Sequence, residues 1–183
     1  MSGNNELRPL EDRIFTLPNA LSLARLFMVP FVVTLLLARA DVLAATLFVL
    51  AAVTDFLDGR LARRASPTRL GRILDPVADR ILLSSVAVVL AMRGLLPVWA
   101  VAILVGRDLL ALLGSLVLGN KIHVNRVGKA ATAALMGAIT LVMLTPGAVL
   151  GEVMFYAGFG LSIVAGLVYL RRVWRILGGE DVR

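Results

Sequence analysis

Four of the twelve acidic residues, Asp55, Asp58, Asp75 and Asp79, fall in one short stretch bordered by apolar runs. An ionisable side chain inside a membrane helix costs on the order of 3 kcal/mol by insertion scales, so four together require a compensating partner. Their spacing is helical. Asp55, Asp58, Gly59 and Ala62 follow i, i+3, i+4, i+7, and Gly71, Asp75 and Asp79 follow i, i+4, i+8, one helix face each. A loop centred near Ser66 separates the two sets. Antiparallel helices rising ~1.5 Å per residue would bring the carboxylates to similar depths. Facing carboxylates repel unless they are protonated or bridged by cations. With no cysteine and a single histidine in the chain, the hard oxygen donors favour Mg2+ or Mn2+ over zinc. Two such ions would clamp phosphate oxygens and stabilise a transferring phosphoryl group. Gly59 and Ala62 are small enough to admit a ligand, and Arg63, one turn beyond Gly59, can bind phosphate. The competing reading is a set of interhelical ion pairs with nearby arginines. Arg60, Arg64, Arg69 and Arg72 read as headgroup contacts.

The elements that must position these residues are apolar. Of 183 residues, 59% are hydrophobic and only 17% charged, with a mean hydropathy of +0.89. A domain this small has too much surface for its volume to hide that much apolar area from water. The composition excludes a soluble enzyme, a disordered tail and a disulfide scaffold, and leaves the bilayer as solvent. Apolar spans run from about Leu21 to Ala38, Val42 to the Asp55 region, Thr68 to Met92, Leu95 to Leu118, Val127 to Leu144 and Val149 to Leu170. Each approaches the roughly 20 residues of a bilayer crossing. The expected fold is an all-α integral membrane protein with six transmembrane helices. It comprises a polar N-terminal segment (1–16), one six-helix domain (17–177) and a short tail (178–183). No signal-peptide cleavage pattern is evident, so the first helix is expected to stay uncleaved.

The net charge of +7 is carried mostly by arginine and is asymmetric. Arg25 and the basic residues of the N-terminal segment, the 2–3 loop, the 4–5 loop and the C-terminus give fifteen cations on one side. Only Arg39 and Arg93 flank the other. The positive-inside rule then places both termini, and the Asp cluster, at the cytoplasmic face of the inner (cytoplasmic) membrane. Cations set between apolar runs indicate anionic headgroups or phosphorylated ligands rather than nucleic acid.

The pattern Asp-x2-Asp-Gly-x2-Ala-Arg-x7-Gly-x3-Asp-x3-Asp, from Asp55 to Asp79, resembles the signature of the CDP-alcohol phosphatidyltransferases. All eight positions are present. The gap between Arg63 and Gly71 is seven residues where many members have eight. The resemblance implies transfer of a phosphatidyl group from a CDP-linked lipid, CDP-diacylglycerol, to an alcohol, with release of CMP. It further implies that Asp55, Asp58, Asp75 and Asp79 hold two metal ions and that Asp79 is the general base on the acceptor hydroxyl. Gly59, Ala62, Arg63 and Gly71 would contact the CDP-lipid, with Thr68 as a further diphosphate contact. The stretch Leu17-Pro18-Asn19-Ala-Leu-Ser22-Leu-Ala-Arg25 is similar to one in bacterial phosphatidylglycerophosphate synthases. It adds Pro18, Asn19 and Ser22 as lipid-substrate contacts, against a plain helix start for which Pro18 is equally suited. That likeness makes glycerol 3-phosphate the first expected acceptor. Phosphatidylglycerol, the acceptor of a cardiolipin synthase, is the alternative, and Gly106-Arg107-Asp108 looks like that type.

Acceptor-binding candidates are Arg107, Arg126 and Lys129. Arg107 reads either as a phosphate ligand or as the partner of the adjacent Asp108. Lys129, in Gly128-Lys129-x-x-Thr132, reads as a phosphate ligand or as a snorkelling interfacial lysine. Gly158, Ser162 and Gly166 follow small-xxx-small spacing and mark close helix packing, within the chain or between subunits. The resemblance implies a homodimer. In a different class, membrane carboxylates also mark cation-coupled transporters. The lack of repeated halves and the clustering of the acids at one end argue against that reading.

Overall fold

The computed structural model describes residues 17–61, 71–118 and 126–177, and is all-α over them. Six helices follow in chain order: α1 (Leu17–Leu37), α2 (Asp41–Leu61), α3 (Gly71–Met92), α4 (Val98–Leu118), α5 (Arg126–Leu144) and α6 (Val149–Leu177). Among the described residues, two spans are long and apolar enough to cross a membrane, Ala20–Leu37 in α1 and Val149–Val168 in α6. The six-span expectation is met in helix number, while span length and apolarity are shown for these two. The exposed residues are those of a protein solvated by lipid. Phe27, Phe31, Val42, Leu110 and Val149 each present more than 60% of their surface.

The turns explain where the helices stop. Arg39 has φ +59°; Arg39 N–H donates to Leu36 O and Ala40 N–H to Leu35 O, closing α1 with a left-handed residue. Gly94, at φ +75°, closes α3 in the same way, with Leu95 N–H donating to Leu90 O. Glycine takes that conformation without the clash a Cβ would cause. α4 accordingly starts at Val98 rather than near Leu95. α6 runs seven residues past the expected Leu170, because the basic residues after it end the apolar run without breaking the helix.

α1 packs against both α2 and α3, α5 packs along α6, α3 meets α4, and α2 rests on α5. Phe48, Leu36, Leu82, Leu90, Ile139, Met143 and Phe155 are fully buried between them. The small-residue stripe of α6 faces inward. A Cβ on Gly158 would lie 3.2 Å from Leu135 N, and one on Gly151 3.0 Å from Val142 Cγ2. The two helix backbones therefore approach closely, and Ser162 between these glycines and Gly166 is wholly buried. The stripe serves packing within the chain.

Where α1, α2 and α3 end together, Arg93 ties them. Its Nη1 donates to Leu36 O at 3.1 Å, and its two Nη atoms grip the Asp41 carboxylate, Nη2 to Oδ2 at 2.9 Å. Both residues sit at helix ends. The Arg93 hydrogen bond holds the Asp41 carboxyl below its ordinary value, although burial opposes the effect.

Two outcomes follow from this packing. Gly158→Val should destabilise the purified protein by about 1–3 kcal/mol, because it overpacks the α5–α6 contact. Gly160→Val, with nothing within 4 Å of its Cβ position, should leave the thermal midpoint nearly unchanged. For Asp41, a folded pKa below the unfolded value of 3.8 means the unfolded state binds more protons in that window. Its contribution is thus present above pH 3.8 and is lost as pH falls through the folded value. The gap in thermal midpoint between wild type and Asp41→Asn should be constant from pH 5 to 7 and should close on further acidification.

Candidate active site

α2 carries Asp55, Asp58 and Gly59 before it ends at Leu61, and α3 opens with Gly71 and carries Asp75 and Asp79. Both acid pairs therefore lie on helices, as their spacing predicts. Ala62, Arg63 and Thr68 lie outside the described residues, as do the side chains of Asp55, Asp58, Asp75, Pro18, Asn19, Arg126 and Lys129 and the surroundings of Gly59 and Gly71. The expected face-to-face carboxylates of α2 and α3 rest on those side chains. Among the described residues no group of three metal-ligating side chains occurs, and α1 lies against both helices.

Asp79 is described, and its setting is informative. It is about one-quarter exposed, and Oδ1 accepts a hydrogen bond from Nη1 of Arg25 on α1. Arg25 is 4% exposed. Charge bias along the sequence groups it with the cations of the N-terminal face. In the structure it is a buried counter-charge, because α1 turns its polar face inward onto α3. Ser22, one turn earlier, is buried at 3% on the same face. The available signal was the periodicity: positions 18, 22 and 25 share one face of a helix whose opposite side is Phe27 and Phe31.

The next residue of α3 begins a second network. Arg80 Nη1 donates to Asp108 Oδ1 at 2.9 Å and to Asp108 O at 3.1 Å, reaching across to α4. Arg107 Nη1 donates to the same Oδ1 at 2.8 Å. Two guanidinium groups share one carboxylate, so the triad keeps a net positive charge. Gly166 of α6 makes room for this arginine, since a Cβ there would meet Arg107 Cγ at 3.4 Å. Arg107 Nε is buried without a hydrogen-bond partner among the described residues. The adjacent-pair reading of Arg107 and Asp108 is therefore realised. The part played by Arg80 was not legible, because nothing local to α3 shows which helix it meets.

Asp79 and Arg80 thus place an acid and a cation on one turn of α3, directed to α1 and α4. An acid held by a buried arginine beside a cationic triad suits chemistry on phosphate esters.

Comparison with known proteins supplies the class. Residues 15–164 match the CDP-alcohol phosphatidyltransferase family, and the chain belongs to it. Among its relatives is a Streptomyces coelicolor protein named cardiolipin synthase (CMP-forming), 37% identical over 96% of this chain and 90% of that protein. Two proteins named CDP-diacylglycerol–glycerol-3-phosphate 3-phosphatidyltransferase are more distant. The Bacillus subtilis protein is 28% identical over 90% of this chain, and the Arabidopsis thaliana protein 29% over 92%. The expected likeness to bacterial phosphatidylglycerophosphate synthases is therefore corrected in favour of the cardiolipin synthases. The likeness of the Leu17 to Arg25 stretch is outweighed by similarity over nearly the whole chain. Membership in a transferase family also displaces the transporter reading.

The Arg25–Asp79 pair yields a direct test. Arg25→Ala and Asp79→Asn should each lower the thermal midpoint. The double variant should be less destabilised than their sum, with a coupling of about 1–3 kcal/mol in a double-mutant cycle.

Proposed function

We propose that this chain transfers the phosphatidyl group of CDP-diacylglycerol to the free glycerol hydroxyl of phosphatidylglycerol, forming cardiolipin and CMP. The observation that carries this reading is the 37% identity over nearly the whole chain to a cardiolipin synthase (CMP-forming), against 28–29% to enzymes that use glycerol 3-phosphate. Both substrates are then lipids and reach the site laterally, and only CMP needs an aqueous exit. That requirement suits a site at the cytoplasmic ends of α2 and α3, within six membrane-crossing helices whose termini both face the cytoplasm, in the cytoplasmic membrane.

The acceptor oxygen attacks the phosphorus that bears the diacylglycerol. Its proton passes to the Asp79 carboxylate, and the bond from phosphorus to the bridging oxygen breaks, that oxygen leaving with CMP. Arg25, which donates to Oδ1 of Asp79, fixes the orientation of the base. Asp55, Asp58, Asp75 and Asp79 would hold two Mg2+ or Mn2+ ions, since carboxylate oxygens are the ligands such hard cations take. When bound, such ions neutralise the diphosphate and stabilise the departing phosphate. Gly59, Ala62, Arg63, Thr68 and Gly71 serve the CDP moiety, with Pro18, Asn19 and Ser22 alongside. Arg107, Arg126 and Lys129 serve the acceptor, whose phosphodiester carries one negative charge. A homodimer completes the proposal.

Purified protein given CDP-diacylglycerol and Mg2+ or Mn2+ should release CMP when phosphatidylglycerol is added, and cardiolipin should appear in equal amount. Glycerol 3-phosphate should give less than about one-tenth of that rate; the reverse preference would overturn the acceptor assignment. Asp79→Asn should abolish turnover with any acceptor. Lys129→Ala should mainly raise KM for phosphatidylglycerol, because it removes an interaction made equally in ground and transition states.

A further inference from the structure

The far end of α6 has a feature that the transfer reaction does not use. Leu167, Leu170, Arg171 and Trp174 line a shallow cavity of about 280 Å³ on the outer face of the helix. Their spacing is i, i+3, i+4, i+7, one continuous stripe. Leu167 and Leu170 are more than half exposed, Trp174 is 77% exposed, and Arg171 is exposed beside them. No carboxylate pairs with Arg171 among the described residues. The rest of α6 sets the depth of this stripe. Its apolar span covers 20 residues and ends at Val168. Arg171 lies three residues further, ~4.5 Å beyond the span at 1.5 Å per residue, and Trp174 ~9 Å beyond.

The leucines then face acyl chains, and Arg171 stands at the level of lipid phosphates.

We propose that this stripe is a binding site for an anionic phospholipid. The lipid phosphate pairs with the Arg171 guanidinium, the polar headgroup rests against the Trp174 ring, and the first acyl methylenes cover Leu167 and Leu170. A second copy of the chain fits the stripe less well. It would bury Arg171 away from water without the counter-charge that a lipid phosphate brings. The sequence continues with Arg172 and Arg175, so the surrounding field also attracts anionic headgroups.

The test uses the full chain in nanodiscs of zwitterionic phosphatidylcholine. Trp99→Phe leaves Trp174 as the only tryptophan. Brominated phosphatidylglycerol or brominated phosphatidylcholine is then added at equal low mole fraction, and Trp174 quenching is followed. The anionic lipid should quench at least about threefold more at half-saturation, and Arg171→Gln should bring the two lipids level. Arg171→Lys should keep part of the preference, which guards against a change in fold. Equal quenching in the Trp99→Phe protein, or a preference that survives Arg171→Gln, would overturn the proposal. Shielding of Trp174 from both lipids would overturn it in favour of a protein–protein contact.

Discussion

A charge in an apolar helix must find its opposite within the protein, and in this chain α3 is where those pairs converge. Asp79 pairs with Arg25 of α1, Arg80 with Asp108 of α4, and Arg93, just past the helix, with Asp41 of α2. Three neighbouring helices are thereby fixed around one. In hydrocarbon, the alternative to each pair is an ion without solvation, so the pairs set which helices adjoin. The apolar packing of Phe48, Leu82 and Leu90 fills the space they define. Asp79, the proposed general base, is thus also one of the residues that set the architecture.

Much of the helix layout was legible from hydropathy, because in a membrane protein the solvent boundary and the helix boundary nearly coincide. They part where polarity changes without a break in helix propensity. α6 continues through Arg171 and Trp174 to Leu177 for that reason. Conversely, Leu95 is apolar yet precedes α4, since Gly94 has turned the chain and Pro97 precedes the helix.

The candidate site was legible as a spacing and much less as a set of partners. Eight signature positions point to the family because their order along the sequence is unusual. Pairing depends instead on which helices adjoin, and no local pattern encodes that. Arg25 and Asp79 are 54 residues apart, and Arg80 and Asp108 are 28 apart. The acceptor was illegible for a different reason: the Leu17 to Arg25 stretch pointed to one subclass, while similarity over nearly the whole chain favours the other.

The order of these pairs along the chain bears on how the protein enters the membrane. α1 contains a span apolar enough to insert despite Arg25. α3, emerging later, brings Asp79 and Arg80 together on one turn, each adding about 3 kcal/mol to its partitioning when alone. Asp79 meets a counter-ion already resident in the bilayer, on α1. Arg80 meets none until Asp108 has been synthesised. For the proposed six-crossing topology, integration of α3 would therefore be a two-stage event, docking first onto a helix made before it and locking only when α4 arrives. A ribosome paused between Met92 and Asp108 would hold a half-neutralised helix at the translocon.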